Sequence, residues 1–240
     1  MVSQSPFGSV LQAKCEAVIC ADMETGQSAI LDENPLMLPA EEALSPARLL
    51  GRGLGYEVYR LSSEWVLKVA AGRHEDVIDQ QFTRRQAESY NFLVAHLGQE
   101  YVCRTYLFRC PLGSRQASCA VQQAVWGRTL AEITAGEFRR STRLRQNVRG
   151  LVDRVLRMAD RTGRMPDLWD GAAPGIRGLV TFRDARYTAN VRVDEQDRPL
   201  LIDIGAWPEG FDRKRSMRGA VRVTKMIHDL KRFRRTELAD

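Results

Sequence analysis

The sequence contains no hydrophobic run near the ~20 residues that a membrane-spanning helix needs. Its amino terminus, MVSQSPFGSV, has neither the basic segment nor the long apolar core of a Sec signal peptide, so Sec-type export is not expected. Histidine is scarce, with three residues, and the five cysteines are scattered along the chain and odd in number. These shortages argue against a structural zinc site and a disulfide framework, and they favour reduced, partly buried thiols.

The remaining composition is that of an ordinary globular protein, with 44% hydrophobic and 28% charged residues. A chain of 240 residues can bury one sizeable core or two small lobes. Basic residues exceed acidic ones, which gives a net charge of +6, and many of them lie in the carboxyl-terminal stretch from Pro208 to Asp240. This excess favours acidic partners, although a solvated helix face is the plainer explanation.

The most informative stretch runs from Thr181 to Trp207 and reads TFRDARYTANVRVDEQDRPLLIDIGAW. Two short apolar runs, Asn190 to Val193 and Pro199 to Ile204, flank four turn-forming residues. Alternating apolar residues on both sides of such a turn predict a β-hairpin.

Three polar residues flank this predicted hairpin. Asp184 and Asn190 precede or begin it, and Asp203 ends its second apolar run just before Gly205. A carboxylate at the end of an apolar strand costs free energy unless a partner or a metal ion takes its charge, and a glycine beside it lets a ligand approach the backbone. The arrangement predicts a site for a metal ion and phosphate groups. A strand-ending aspartate beside a chance asparagine would explain it without any function.

A glycine-rich hairpin is predicted earlier in the chain, where Leu49 to Leu61 reads LLGRGLGYEVYRL. The residues at its bend are Gly51, Gly53 and Gly55. Glycines at such places let backbone N–H groups come close to phosphate oxygens. A hairpin with a glycine turn and no ligand explains the same spacing.

The next predicted strand, Glu64 to Ala70, carries one lysine, Lys68, among apolar neighbours. A lysine in a buried strand needs an anion, whereas in a half-buried sheet it can simply point to solvent. A helix follows from about Asp76 to Leu97 and includes Glu88 beside apolar residues.

Further elements complete the predicted order. Two antiparallel strands are expected at Val102 to Phe108 and Ser118 to Val125. A long amphipathic helix is expected from Ser141 to Thr162, ended by Gly163, and a last helix from Ser216 to Arg235.

In this order, the motifs resemble the protein-kinase-like superfamily over roughly residues 48 to 207, especially minimal atypical bacterial kinases of the type III effector kind. The resemblance implies an α+β, two-lobed protein-kinase-like fold. Residues 1–47 would form an amino-terminal extension and linker, 48–126 a small antiparallel-sheet N-lobe, and 127–240 a reduced helical C-lobe.

The resemblance also implies ATP and Mg²⁺ as cofactors and gives each motif a role. Lys68 would contact the α- and β-phosphates, and Glu88 would pair with it. Asp184 would be the catalytic acid that positions the acceptor hydroxyl. The remaining implied contacts are Gly51, Gly53, Gly55 and Val58 over the phosphates, Ala124 and Trp126 at the base, and Asn190 and Asp203 at the metal ion.

The sequence departs from the family pattern at two points. Asn190 follows Asp184 by six residues, whereas the family spacing is five, and Phe182 stands in place of the family histidine. The extra residue is compatible with a bulge in the loop or with a different acid in the catalytic role. Asp167, which lies in an acid-rich turn segment, is the rival for that role, and a loop or helix-cap function is the alternative for it.

The function implied is ATP-dependent phosphoryl transfer, with a protein serine or threonine hydroxyl as the first choice of acceptor. A small-molecule, aminoglycoside-type phosphotransferase and a nucleotide-binding pseudokinase are the alternatives. The expected partner is a protein substrate, acidic if it docks on the basic carboxyl-terminal helix, while nucleic acid or an anionic membrane is a less favoured partner. We expect a cytoplasmic location in the producing cell, with secretion into a host cell by a non-Sec route as the alternative.

Overall fold

The computed structural model describes residues 48–52, 56–70, 80–112, 115–168, 190–207 and 213–238. The predicted amino-terminal extension, residues 1–47, lies outside these ranges. The chain divides into two compact units. Described residues up to Asn91, together with Arg104–Ala124, form the first unit, and Phe92–Cys103 with the residues from Val125 onward form the second.

The first unit contains a five-stranded antiparallel sheet. Its strand order is β1-β2-β3-β5-β4. The strands are β1 (Arg48–Arg52), β2 (Tyr56–Arg60), β3 (Trp65–Ala70), β4 (Thr105–Leu112) and β5 (Arg115–Gln123). The predicted glycine hairpin is confirmed, since β1 and β2 pair across residues 53–55.

One helix connects β3 to β4 in sequence and packs on this sheet with its first part. This helix, α1, spans Gln80–Leu97, and its residues up to Asn91 belong to the first unit. The Thr83 hydroxyl donates to Ser118 Oγ at 3.0 Å, and the Tyr90 hydroxyl accepts from the backbone N–H of Thr105 at 3.4 Å. Because all four residues are buried or half-buried, these bonds fix the helix against β4 and β5.

The second unit combines helices with short strands. Two short 3-10 turns lie at Gln99–Tyr101 and Leu130–Glu132. The helices are α2 (Ala135–Arg140), α3 (Thr142–Thr162) and α4 (Arg213–Thr236), and the strands are β6 (Met165–Pro166), β7 (Val191–Val193), β8 (Pro199–Leu201) and β9 (Ala206–Trp207). β6 pairs with β9 and β7 with β8, both antiparallel.

Helix α3 is the central element of the second unit. Ser141 caps its amino terminus by accepting from Leu144 N at 3.1 Å, and Gly163 ends it in the left-handed conformation with φ of 67°. The predicted bounds and glycine cap are therefore confirmed. Its apolar face is buried along the whole length, through Leu144, Val148, Leu151, Val152, Val155, Met158 and Ala159.

Arg154 ties α3 to the chain segment before β4. Its guanidinium pairs with Glu100 at 2.6 Å, donates to the Leu97 carbonyl at 2.6 Å, and lies 5.1 Å from the centroid of the Tyr101 ring. Gly150 makes room for that ring, because a side chain there would collide with the Tyr101 hydroxyl. One arginine thus joins an ion pair, a hydrogen bond and a cation–π contact.

The observed elements confirm the predicted α+β class. Several boundaries differ from the expectation. The hairpin of β4 and β5 spans Thr105–Leu112 and Arg115–Gln123, whereas strands were expected at Val102 to Phe108 and Ser118 to Val125. β4 begins at Thr105 because the preceding Cys103 N–H donates to the Leu201 carbonyl at 3.0 Å. β8 ends at Leu201 because the chain then turns, with Ile202 N–H donating to the Asn190 carbonyl at 2.9 Å. α4 is slightly longer than predicted at both ends.

The structure also bears on the expectations about cysteines and about membrane-spanning helices. Cys103 and Cys119 are buried free thiols, as predicted. In the ranges that the structure describes, no helix is both long and apolar enough to cross a bilayer.

Gly127 generates a first prediction. A Cβ at this position would overlap the Val193 carbonyl oxygen, which is backbone and cannot rotate away. We expect Gly127→Ala to lower the free energy of unfolding in urea by about 1–3 kcal/mol or more. Gly136→Ala is the control, because its Cβ would meet only the flexible Arg140 guanidinium at 3.5 Å and alanine favours the helix. Equal stability of Gly127→Ala and the parent protein would contradict this packing.

Candidate functional site

Three of the polar residues considered from the sequence lie together in the second unit. Asp167 follows β6, Asn190 precedes β7, and Asp203 follows β8. We call these three residues the acid cluster. All three are half-buried, which leaves them accessible to a ligand.

The backbone around the acid cluster is hydrogen-bonded from both sides. Asn190 Nδ2 donates to the Asp167 carbonyl at 3.1 Å, and the Asp167 N–H donates to the Gly205 carbonyl at 2.7 Å. The Asn190 carbonyl accepts from Ile202 N–H. Asp167 is therefore held at its N–H and its carbonyl by the two segments that carry Asn190 and Asp203.

Gly205 lies beside both acids of the acid cluster. Its N–H donates to Asp203 Oδ1 at 2.9 Å. A Cβ built on Gly205 would lie 3.4 Å from Asp203 Oδ1 and 3.4 Å from Asp167 Cβ. Any side chain larger than alanine would therefore press on both acids, and the glycine keeps this space for other atoms.

The hairpin that carries Asn190 and Asp203 is stabilised by its own turn. Val191 pairs with Leu201 and Val193 with Pro199, which confirms the predicted hairpin. Asp194 Oδ1 accepts from the N–H groups of Gln196 and Arg198 at 2.9 and 2.8 Å. These bonds explain why turn-forming residues occur here.

Helix α3 anchors the same hairpin from outside. Asn147 Nδ2 donates to the Asp197 carbonyl at 2.9 Å, and the Ser141 hydroxyl donates to Asp197 Oδ2 at 2.9 Å. Asp197 takes a positive φ of 59°, which aspartate tolerates better than most residues. The acid cluster is thus positioned through a hairpin that helix α3 holds in place.

The donor atoms of the acid cluster fit a magnesium ion. Mg²⁺ prefers hard oxygen ligands and is usually bound by one or two carboxylates plus substrate phosphates and water. Asp203 supplies a carboxylate and Asn190 an amide oxygen, since the Asn190 amide uses its nitrogen toward Asp167. Among the described residues, no group of three or more His, Cys, Asp or Glu forms a metal site, so this protein offers no rival all-acid cage there.

In the first unit, three of the predicted phosphate contacts lie opposite one another on neighbouring strands of the sheet. Gly51 lies opposite Val58, and Val58 lies opposite Lys68. Directly opposed residues of antiparallel strands project to the same face, so Val58 and Lys68 share a face. Lys68 is half-buried between the buried residues Leu67 and Val69, which project to the opposite face. Glycine hairpin and strand lysine thus lie side by side, as expected.

Three predicted contacts in the first unit stay predictions. Glu88 lies on α1 as expected and is exposed, and its pairing with Lys68 stays a prediction. Gly53 and Gly55 lie outside the described residues.

The predicted base-contact segment begins where β5 ends. The Ala124 N–H donates to the Glu64 carbonyl at 2.7 Å, so a base contact at Ala124 can involve only its carbonyl. Trp126 is 51% exposed. In the second unit, Arg192 donates to the carbonyls of Val125 and Gly127 at 3.3 and 3.0 Å. Sequence reasoning missed Arg192. Its place between two apolar residues, Val191 and Val193, was the available signal, because alternate side chains of a strand project to opposite faces.

The structure describes one of the two candidate acids. Asp167 is joined to Asn190 by a hydrogen bond, whereas Asp184 lies outside the described residues and stays a prediction. A sequence signal for Asp167 did exist. It follows the apolar pair Met165 and Pro166, which forms a buried strand beside β9.

No family model matches the chain, and no curated protein matches it. Among solved structures, the chain is similar to the Legionella pneumophila kinase Lpg2603 bound to IP6, with 14% identity and a TM-score of 0.46. The similarity covers 78% of this chain and 60% of that one, so this chain spans less than two thirds of the Legionella chain. It is also similar to the apo pseudokinase GRMZM2G135359, with 14% identity, a TM-score of 0.39, and 78% and 66% of the two chains covered.

The chain has the mixed α+β architecture that the sequence predicts. Its five-stranded sheet has the order β1-β2-β3-β5-β4 with a helix between β3 and β4 in sequence, and the pairs β6-β9 and β7-β8 surround the acid cluster.

The acid cluster generates a second prediction. Asn190→Ala and Asn147→Ala each remove one amide-to-carbonyl hydrogen bond and should each lower the free energy of unfolding by about 1 kcal/mol. Asp203→Asn should change it little, because an amide oxygen can still accept from Gly205 N–H while a charge leaves a half-buried position. Urea unfolding monitored by circular dichroism measures all three. A large loss of stability in Asp203→Asn would mean that this carboxylate is structural.

Proposed function

We propose that this protein is an ATP-dependent phosphotransferase that transfers the γ-phosphoryl group to a serine or threonine hydroxyl of a protein. The observation that supports this most is the acid cluster, in which Asp167, Asn190 and Asp203 are hydrogen-bonded around Gly205. Phosphoryl transfer requires little covalent chemistry from a protein, so positioning and charge stabilisation supply most of the catalysis. A cluster of oxygen donors on a braced hairpin is suited to that task.

In this proposal, Asp203 and Asn190 hold Mg²⁺, and Lys68 contacts the α- and β-phosphates. Bound Mg-ATP supplies the transferable phosphoryl group and the cation that neutralises its developing charge. Gly51 and Val58, which lie in the same sheet row as Lys68, would cover the phosphates. Gly53, Gly55, Glu88, Ala124 and Trp126 keep the roles that the family resemblance gives them.

We assign the acceptor-orienting role to Asp167. Its backbone is held on both sides by hydrogen bonds, to Gly205 and from Asn190, which places Asp167 beside the proposed metal ligands. During transfer, the acceptor oxygen forms a bond to the γ-phosphorus while the bond from that phosphorus to the β,γ-bridging oxygen of ATP breaks. The proton of the acceptor hydroxyl passes to the Asp167 carboxylate. Asp184, preferred from the sequence, is the rival.

A protein acceptor is favoured by the charge of the chain. Its 36 Lys and Arg residues exceed its 30 Asp and Glu residues, and an excess of basic residues attracts acidic partners. We therefore propose an acidic protein as the substrate.

The third prediction tests phosphoryl transfer itself. Lys68→Ala and Asp203→Ala should each lower the transfer rate by about 10²-fold or more, since each removes a preorganised charge contact. Transfer is measured with labelled ATP and Mg²⁺ against a cell lysate and against small alcohols. Asp160→Ala is the control, because Asp160 is an exposed acid of α3 outside the acid cluster.

The results of this assay separate the candidate functions. Full activity in either variant would overturn the site. Labelling of small alcohols but not of proteins would favour a small-molecule phosphotransferase. Nucleotide binding without transfer to either acceptor class would make the protein a nucleotide-binding pseudokinase.

The fourth prediction separates the two candidate acids. Asp167→Asn should abolish transfer and keep nucleotide affinity, because this carboxylate contacts the acceptor hydroxyl and not ATP. Asp184→Asn should keep most of the activity. Nucleotide affinity by calorimetry and transfer by the labelled assay are compared in both variants. An active Asp167→Asn protein beside an inactive Asp184→Asn protein would return the role to Asp184.

A further inference from the structure

An open pocket of about 480 Å³ lies between helices α3 and α4 in the second unit. From α3 it is lined by Asp153, Leu156 and Arg157, and from α4 by Lys231, Arg234 and Arg235, with His228 one turn earlier. None of these residues belongs to the acid cluster, so the proposed phosphoryl transfer gives this pocket no role.

The charges of the pocket are unbalanced. Its one acid, Asp153, is already paired with Arg234. The ion pairs found in the described part of the chain include none for Arg157, Lys231 or Arg235, and all three side chains are exposed. Three cations thus share one concave space without a counter-charge, an arrangement that repels itself until an anion enters.

The packing of the helices keeps these cations together. His228, Lys231 and Arg235 follow one another at spacings of three and four, so they lie on one face of α4. Leu230 and Phe233, on its other side, are buried in the core and prevent the helix from turning. The basic face is therefore preorganised, and a ligand would not have to supply the free energy that gathers the charges.

The pocket has the size and chemistry for a small ligand. Ligand pockets typically measure about 300–1,000 Å³, and this one lies within that range. Arginine presents a planar fork of donors that matches phosphate oxygens, and the Asp153 carboxylate holds the Arg234 fork in orientation. Most of the exposed lining is apolar, and a ring or chain of the ligand can rest against it between the charged groups.

We propose that this pocket binds a small molecule that carries several phosphate groups, either free in solution or as the headgroup of a lipid. Arg157, Lys231 and Arg235 supply the charge, and Arg234 adds donors from a fixed direction. This inference does not depend on the proposed phosphoryl transfer, because it concerns binding at a separate set of residues.

The test uses the full chain and inorganic tripolyphosphate as the probe, titrated by calorimetry without magnesium. The variant Arg157→Gln/Lys231→Gln/Arg235→Gln removes the three unpaired charges and should weaken binding by about tenfold or more, since charge-assisted contacts are lost. The control Arg143→Gln/Arg161→Gln/Arg232→Gln removes the same charge from exposed positions of the same two helices outside the pocket. The control should bind like the parent protein.

Two further measurements locate the probe and check the fold. Lys68→Ala must retain tripolyphosphate binding, because loss of binding there, with normal binding in the pocket variant, would place the probe at the nucleotide site and overturn the proposal. Thermal unfolding by circular dichroism must show both triple variants folded. If the pocket variant fails to fold, Lys231→Gln and Arg235→Gln are tested singly, and each should weaken binding.

A vesicle arm distinguishes the sources of the phosphates. Sedimentation with phosphatidylcholine vesicles containing a phosphoinositide polyphosphate, but not with phosphatidylserine vesicles of equal charge, would identify a lipid headgroup as the ligand. Binding of tripolyphosphate alone would identify a soluble ligand. Equal weakening in the pocket and control variants, or tight binding of a polyglutamate peptide without tripolyphosphate binding, would overturn the proposal.

Discussion

The candidate site depends on one side-chain hydrogen bond, from Asn190 Nδ2 to the Asp167 carbonyl, which joins residues 23 positions apart. Such a bond contributes only about 1 kcal/mol to stability. Its importance is geometric, because β6, β7, β8 and β9 have two or three residues each and are too short to hold a position by their own pairing. The bond joins the segment that carries Asp167 to the start of the hairpin, and the Asp167 N–H joins the same segment to Gly205 after the hairpin.

That structure is in turn supported from two directions. Asn147 and Ser141 attach the turn of the hairpin to α3, and Arg192 attaches β7 to the segment that starts at Val125. Gly127 lets the second attachment form, since its missing side chain admits the Val193 carbonyl. A site that must place carboxylates within fractions of an ångström gains from such bracing, because loops alone are less precise supports than packed elements.

The sequence allowed the locally coded parts of this arrangement to be predicted. The hairpin from Asn190, the glycine hairpin and the caps of α3 follow from alternation, turn residues and capping, which act over a few positions. The contact of Asp167 with Asn190 has no local signal, because it depends on where a two-residue strand pairs across the unit. Asp184, the acid preferred from the sequence for its nearness to Asn190, lies outside the described residues and stays a prediction.

The basic residues are a second case in which long-range contacts could not be predicted from the sequence. Periodicity places cations on one face of α4, but it cannot tell which of them are neutralised. Arg154 is committed to Glu100 and the Leu97 carbonyl, Arg192 to backbone carbonyls, and Arg234 to Asp153. Only after these tertiary pairings are assigned do Arg157, Lys231 and Arg235 stand out as the cations of one pocket. A purely solvated basic face would spread such charges apart, since their mutual repulsion falls with distance. Their convergence beside a fixed ion pair is the arrangement on which the proposed anion site rests.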